Sequence, residues 1–183
     1  MTSPDHKSGT DRCAEAANKY IERHSAQIEV VINIQGDEPN INPQQLTGLA
    51  KLFDANDTQI ATLVKQIEES TELLNPNVVK AVLDNQNKAL FFSRSPIPYV
   101  RDYGDTTSWP NQHKYYKHIG VYAYRLHILN KITQLPMSLL EKAESLEQLR
   151  WLEKGFAIKA TETRYENLGI DTPEDLKRFE ETL

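Results

Sequence analysis

Two aspartates in this sequence each follow an apolar segment that predicts a β-strand. Asp37 comes after the run over residues 29 to 35, and Asp171 comes after "NLGI" and just before a helix start. Ligands of open α/β sheets bind beyond the carboxyl ends of the strands. Mg²⁺ binds one or two protein carboxylates together with phosphate oxygens and water. If the two strands are neighbours, Asp37 and Asp171 can hold one metal, although each also suits a solvated turn before a helix.

Polar side chains near the ends of two other predicted strands could contact a ligand. Arg94 in "FFSRSPIPYVR" can bind a carboxylate or phosphate through two hydrogen bonds, or form an ordinary surface ion pair. In "HIGVYAYR", period two places His118, Gly120, Tyr122 and Tyr124 on one face of a strand. A single histidine is more often structural than catalytic, so His118 needs partners to define a site.

The segment "LEQLRWLEKG" predicts an amphipathic helix. Glu147 and Gln148 are surface residues there unless that end of the helix faces a ligand. The predicted core residues of the helix are Leu146, Leu149, Trp151 and Leu152.

Strand and helix signals alternate along the chain, with a hairpin in the middle, which predicts an α/β domain with a mostly parallel sheet and an antiparallel hairpin excursion. The unbroken Val-Val-Ile run suggests a strand buried on both faces. The predicted strands cover residues 29–35, 60–66, 118–125 and 156–163, and the hairpin turns at 84–88. The predicted helices cover residues 11–23 with Thr10 as cap, 43 to about 53, 126–134, 145–154 ended by Gly155, and 171–183 with Thr172 as cap. Residues 99–117 read as a long loop for binding or subunit contact.

Composition restricts the partners and the compartment. The 183 residues suit one domain, 1–183, and the net charge of -5 argues against a nucleic-acid or anionic-membrane partner. A single cysteine, Cys13, excludes an internal disulfide and fits a reducing compartment. No apolar stretch approaches the ~20 residues of a membrane span, and the polar first residues predict no signal peptide. We therefore expect a cytoplasmic protein.

Seven motifs in chain order resemble one family. They are "SGTDR", "VINIQGDEP", "NPNVVKAVLD", "LFFSRSPIPYVR", "HIGVYAYR", "LEQLRWLEKG" and "GIDTPEDL". Together they are similar to the 3-deoxy-manno-octulosonate cytidylyltransferases, the CMP-Kdo synthetases of Gram-negative bacteria. The resemblance covers essentially the whole chain, and its motifs separate it from the related sialic-acid cytidylyltransferases.

This resemblance implies a nucleotide-diphospho-sugar transferase fold of Rossmann-like type and a homodimer. The implied reaction is Mg²⁺-dependent: CTP and 3-deoxy-manno-octulosonate (Kdo) give CMP-Kdo and pyrophosphate for lipopolysaccharide inner-core synthesis. By motif, Asp37 and Asp171 match metal ligands and, with Arg94, the catalytic set. The residues that match the acid-sugar pocket are Gln35, Arg94, His118, Tyr122, Glu147 and Gln148. Those that match the nucleotide segment are Ser8, Gly9, Thr10 and Arg12.

The sequence also departs from the family pattern. The family opens with a strand and a "PARYxSxRxPGKPL" loop that contacts the triphosphate, followed by a second strand, and neither is found here. The sequence also has no G-x-G-x-x-G and no G-x-x-x-x-G-K-[ST]. We therefore expect N-terminal truncation and little transferase activity from the 183-residue chain alone. The alternatives are a cytidylyltransferase for another acidic sugar, such as sialic acid, and a non-catalytic remnant that binds ligand or dimerises.

Overall fold

The computed structural model describes residues 1–36, 41–165 and 177. The strands are β1 (Val30–Asn33), β2 (Ile60–Ile67), β3 (Lys80–Leu83), β4 (Ala89–Ser93), β5 (Tyr115–Arg125) and β6 (Ile158–Glu162). The α-helices are α1 (Gly9–His24), α2 (Pro43–Lys51), α3 (Ser70–Leu74), α4 (Trp109–Gln112), α5 (Leu126–Ile132), α6 (Leu139–Glu144) and α7 (Gln148–Glu153). Two short 3₁₀ helices cover Leu52–Asp54 and Thr106–Ser108. Within these described residues, no helix combines the length and the apolarity needed to cross a membrane.

The six strands form one mixed sheet in the order β4-β3-β5-β2-β6, and β1 also pairs with β5. The predicted α/β class is confirmed. The expectation of a mostly parallel sheet is corrected, because only the β2–β6 pairing is parallel among the described strands. The long strand β5 runs antiparallel to β1, β2 and β3. Apolar runs predict burial but carry no information about strand direction, which is why the sequence misled here.

The first strand is also less buried than its composition predicts. All four residues of Val30–Asn33 are half-buried. Among the described strands β1 pairs only with β5, so Val30 lies opposite Arg125 and Asn33 opposite Tyr122. The chain leaves the sheet at the C-terminal end of β1, and Gln35 and Gly36 follow shortly after it.

Apolar side chains pack on both faces of the sheet. On one face, Tyr122 and Tyr124 of β5 pack with Trp151 of α7 and with residues of α1 and α5. On the other face, Val121 and neighbouring strand residues pack against Leu49 of α2 and the segment after it. Alternation along β5 thus divides its side chains between two layers of helices, and the face with α1 and α7 carries the polar residues considered below.

The cap of α1 differs from the prediction. The helix begins at Gly9, and the hydroxyl of Ser8 accepts a hydrogen bond of 3.2 Å from the backbone N–H of Asp11. Ser8 is therefore the N-cap, and the assignment of Thr10 as cap is wrong. Thr10 is buried inside the first turn, which frees its hydroxyl for a contact with α7. Both residues suit a cap by type, so composition alone did not distinguish them.

Most other predicted elements are confirmed within a few residues. Helix α2 starts at Pro43 with an Asn42 capping box, and the β3–β4 hairpin turns through residues 84–88 with Asn87 at φ 59°. The predicted loop at 99–117 instead contains α4 and the start of β5, and Trp109 is buried with its indole N–H donating to Tyr103 at 2.8 Å. The predicted helix at 171–183 lies outside the described residues, apart from 177.

Gly155 ends α7 with a left-handed backbone conformation, φ +80°, as the sequence predicts. A Cβ at this position meets no atom within 4 Å, so a side chain is opposed by backbone strain and not by crowding. We expect Gly155→Ala to lower the free energy of unfolding by about 1 kcal/mol. Urea denaturation measures the change, and Gly104→Ala, which also has open space but no left-handed φ, is the matched control. Equal stabilities of the two variants would contradict the assignment.

Candidate functional site

An open cavity of about 680 Å³ lies between the start of α1, the segment after β1, the polar face of β5 and the start of α7. Four parts of the chain that are far apart in sequence therefore contribute to one surface. The residues that line it are Gly9, Thr10, Arg12, Cys13, Ala16, Asn33, Ile34, Gln35, Gly36, His118, Gly120, Tyr122, Tyr124, Leu146, Glu147, Gln148 and Trp151.

The face of β5 predicted from period two is present in this cavity, since His118, Gly120, Tyr122 and Tyr124 all line it. A bulge interrupts the ladder here. Thr62 pairs with Tyr122, but the next residue of β2, Leu63, pairs with Ile119 and not with position 121. Two extra residues are thus accommodated in β5, and an even number preserves the alternation of its faces.

Polar side chains lie close to the backbone carbonyls of this bulge. The amide of Gln35 donates to the Gly120 oxygen at 3.3 Å. The hydroxyl oxygen of Thr62 lies 2.9 Å from the Val121 oxygen and 3.2 Å from the Ile119 oxygen. The predicted sugar-pocket residue Gln35 therefore lies at the cavity, where its amide also helps to hold β5 in shape.

His118 is half-buried between aromatic rings. Its ring centroid lies 5.2 Å from that of Phe92 and 5.1 Å from that of Tyr122, and Nε2 lies 2.9 Å from the Thr62 hydroxyl. Burial lowers the pKa of His118 from 6.5 to about 3. The imidazole is therefore uncharged at neutral pH and suits a hydroxyl group better than a phosphate or carboxylate.

Some buried polar groups that line the cavity have no hydrogen-bond partner in the described part of the chain. Among them are the hydroxyl of Tyr122 and the indole N–H of Trp151. The two rings meet edge to face with centroids 5.2 Å apart. Because buried polar groups are nearly always bonded, these two suggest a ligand or water in the cavity. The sequence identified Trp151 only as a core residue, since its position in the apolar periodicity gave no sign that its N–H would lack a partner.

Helices α1 and α7 are joined at the cavity by a hydrogen bond. The hydroxyl of Thr10 donates to Oε2 of Glu147 at 2.7 Å, and Nη2 of Arg150 lies 3.5 Å from Oε1 of the same carboxylate. Burial raises the pKa of Glu147, although the bond from Thr10 opposes the rise. Gln148, the next residue, is buried and also lines the cavity. Predicted nucleotide-side and sugar-side residues are thus in direct contact.

Arg150 forms a buried ion pair with Glu141, which does not line the cavity. Its Nε and Nη2 donate to the two oxygens of Glu141 at 2.8 and 2.7 Å, and Nη1 donates to the Leu135 oxygen at 3.0 Å. Glu141 also accepts from the Ser138 backbone N–H in the capping box of α6. Neither Glu141 nor Arg150 was singled out in the sequence, although "SLLE" is a capping-box pattern that could have located Glu141.

The predicted nucleotide segment divides between the cavity and the cap of α1. Gly9, Thr10 and Arg12 line the cavity, whereas the Ser8 side chain caps the helix. The exposed guanidinium of Arg12 donates to the Thr2 hydroxyl at 2.9 Å and supplies positive charge at the rim of the cavity. That charge suits an anionic group such as a phosphate.

Arg94 is placed elsewhere. Its Nε donates to the Glu144 backbone oxygen at 2.7 Å and its Nη1 to the Pro76 oxygen at 3.1 Å. Its backbone N–H donates to the Glu144 carboxylate at 2.9 Å. In this arrangement Arg94 is not part of the cavity lining and instead connects the end of β4 to α6. Its role toward the sugar stays a prediction.

The two predicted metal ligands, Asp37 and Asp171, lie outside the described residues. Asp37 directly follows Gly36, which lines the cavity. Among the residues that the structure describes, no group of three or more His, Cys, Asp and Glu side chains is arranged to hold a metal. The metal assignment therefore also stays a prediction.

Known proteins resemble the chain over nearly all of its length. A family model described as "Cytidylyltransferase" matches residues 1–177. A 3-deoxy-manno-octulosonate cytidylyltransferase of Parabacteroides distasonis is 52% identical over 182 residues, which cover 97% of this chain and 70% of that protein. One from Bacteroides thetaiotaomicron is 54% identical over 186 residues, covering 100% of this chain and 72% of that protein.

A solved structure is similar in fold as well. It is a CMP:2-keto-3-deoxy-manno-octonic acid synthetase in complex with CTP, with a TM-score of 0.88 and 39% sequence identity. The match covers 100% of this chain and 70% of that chain. At this identity and TM-score, the likeness extends to sequence and topology together.

Proposed function

Because the chain belongs to the family of 3-deoxy-manno-octulosonate cytidylyltransferases, we propose that it transfers CMP from CTP to Kdo, giving CMP-Kdo and pyrophosphate for lipopolysaccharide synthesis. One observation carries the proposal. The residues that match the nucleotide segment, Gly9, Thr10 and Arg12, line the same cavity as those that match the sugar pocket. The latter are Gln35, His118, Tyr122, Glu147 and Gln148. A transfer between two substrates requires such a shared space.

The reaction needs alignment and charge neutralisation more than covalent catalysis. The anomeric hydroxyl of Kdo gives up its proton to solvent and its oxygen forms a bond to the α-phosphorus of CTP, while the bond from that phosphorus to the pyrophosphate oxygen breaks. The described residues can orient a polyhydroxylated sugar: uncharged His118 and the carboxylate of Glu147 offer acceptors, while the free N–H of Trp151 and the hydroxyl of Tyr122 offer donors. Arg12 offers positive charge on the nucleotide side.

Magnesium is part of the proposal. A pair of aspartates together with phosphate oxygens is a donor set that fits Mg²⁺, so Asp37 and Asp171 would hold it. When bound, the ion would neutralise phosphate charge and orient the reacting groups. A homodimer and a cytoplasmic location also stay predictions.

The comparisons favour Kdo over sialic acid, because the relatives and the solved structure are all named for the former. A non-catalytic remnant would still share the fold, so binding and transfer need separate measurements. We therefore propose two readouts on the purified chain, a melting-temperature shift for binding and mass spectrometry of the product for transfer.

In the presence of CTP and Mg²⁺, we expect added Kdo to raise the melting temperature in a concentration-dependent way. Added sialic acid should leave it at the value measured with CTP and Mg²⁺ alone. Mass spectrometry of the same mixtures should detect CMP-Kdo and no CMP-sialic acid. A larger shift with sialic acid would support the other acceptor. Binding of Kdo without any product would support a remnant, and a lack of response to either sugar would overturn the proposal.

A further inference from the structure

Thr62 lies behind the sugar-side face of the cavity and does not line it. The residue is fully buried in β2, opposite the bulge of β5. Its hydroxyl oxygen has three polar neighbours. These are the oxygens of Val121 at 2.9 Å and Ile119 at 3.2 Å, and Nε2 of His118 at 2.9 Å.

The chemistry of these groups determines where the protons lie. Carbonyl oxygens only accept, and a threonine hydroxyl has a single proton to donate. If the hydroxyl donated to His118, the two carbonyl oxygens would face its lone pairs without a proton between them. Donation to the nearer carbonyl, that of Val121, leaves the hydroxyl oxygen as an acceptor, so Nε2 of His118 must carry the hydrogen that it receives.

A histidine with its proton on Nε2 has a free lone pair on Nδ1. His118 lines the cavity, and no described residue is hydrogen-bonded to its Nδ1. The neighbouring rings of Phe92 and Tyr122 restrict the orientation of the imidazole. The second nitrogen is therefore available to a donor that enters the cavity.

We propose that Thr62 is a positioning residue that fixes His118 in the Nε2–H tautomer and so presents Nδ1 as an acceptor for a hydroxyl of the bound sugar. That the bound molecule is a sugar rests on the proposed function, whereas the assignment of the tautomer does not. The bulge contributes to this arrangement, because it brings two carbonyl oxygens close to the Thr62 hydroxyl. The hydroxyl proton is therefore donated to a carbonyl oxygen and not to His118.

Nitrogen-15 NMR of the full chain labelled in histidine tests the tautomer directly, since protonated and unprotonated ring nitrogens differ strongly in chemical shift. His118→Gln assigns the His118 signals among the five histidines. At neutral pH we expect His118 to show a protonated Nε2 and an unprotonated Nδ1. Thr62→Val should produce a mixture or the opposite tautomer, and Thr62→Ser should restore the wild-type pattern.

Thr58→Val is the matched control. Thr58 is also buried, and its hydroxyl donates to the Leu52 oxygen at 2.6 Å, away from the cavity. This variant should lose stability without a change in the His118 signals. Kdo affinity, measured by calorimetry, should fall about tenfold in Thr62→Val and stay unchanged in Thr58→Val.

The outcomes separate the inference from the proposed function. A protonated Nδ1 in the wild type, or the wild-type tautomer in a folded Thr62→Val, would overturn the inference even if Kdo binds. If Thr62→Val does not fold, the wild-type and Thr62→Ser spectra still decide which ring nitrogen of His118 carries the proton. The expected tautomers in a protein that does not bind Kdo would instead support the positioning role and refute the proposed function.

Discussion

Glu141→Ala is expected to lower the free energy of unfolding by about 3 to 5 kcal/mol, because it leaves the Arg150 guanidinium buried without its main counter-charge. Only 8% of the Glu141 side chain and 12% of the Arg150 side chain are exposed, so water cannot replace the lost carboxylate. The change also removes the acceptor for the Ser138 backbone N–H. Chemical denaturation measures the loss.

Two further variants separate these causes. Glu141→Gln keeps an acceptor for the capping box but removes the charge, so it should retain the cap and still lose much of the stability. Glu153→Gln, at an exposed acid on α7, keeps an acceptor for the Leu140 backbone N–H and should change stability by less than about 0.5 kcal/mol. A Glu141→Ala variant as stable as Glu153→Gln would show that the buried pair contributes little.

Glu147→Gln is expected to bind Kdo about tenfold more weakly and yet to melt at a higher temperature than the wild type at neutral pH. The weaker binding follows from loss of a charged acceptor at the cavity. The higher melting temperature follows because burial raises the pKa of Glu147, so the folded state resists its ionisation. A glutamine removes that cost while still accepting the Thr10 hydrogen bond of 2.7 Å.

The pH dependence of the stability difference has a definite sign. The folded pKa of Glu147 lies above the unfolded value of 4.5, so the folded state binds more protons between the two values. Wild-type stability therefore falls, relative to the variant, as pH rises through this window. The advantage of Glu147→Gln should be largest above the raised pKa and should vanish below about pH 4.5.

Calorimetric titration with Kdo and thermal melts from pH 4 to 8 measure both effects. Glu153→Gln is the control, because it removes an exposed carboxylate on the same helix and should change neither quantity. A stability advantage that grows as pH falls would contradict the assigned direction of the pKa shift. Unchanged Kdo affinity would remove Glu147 from the sugar pocket.

The polar face of β5 is the part of the site that the sequence predicted best. Period two depends only on strand geometry, and His118, Gly120, Tyr122 and Tyr124 do share the cavity. Even the bulge left this intact because it inserts an even number of residues. The resemblance supplied Glu147 and Gln148, which helical periodicity alone left as surface residues.

Other features depended on contacts between distant segments and could not be predicted. The Thr62 hydroxyl reaches His118 only because β2 and β5 are paired at one particular register. Thr10 and Glu147 are 137 residues apart, and nothing local to either indicates their hydrogen bond. Strand direction was also missed, because a buried strand has the same apolar pattern whether it runs parallel or antiparallel to its neighbours.

The most direct test of the central claim is a crystal structure of this chain soaked with CTP, Mg²⁺ and Kdo. The claim is that one cavity, between α1, β5 and α7, receives both substrates. We predict density for the sugar against His118, Tyr122 and Glu147, and density for the nucleotide beside Thr10 and Arg12. Sugar density at any other surface, with this cavity left to solvent, would contradict the account.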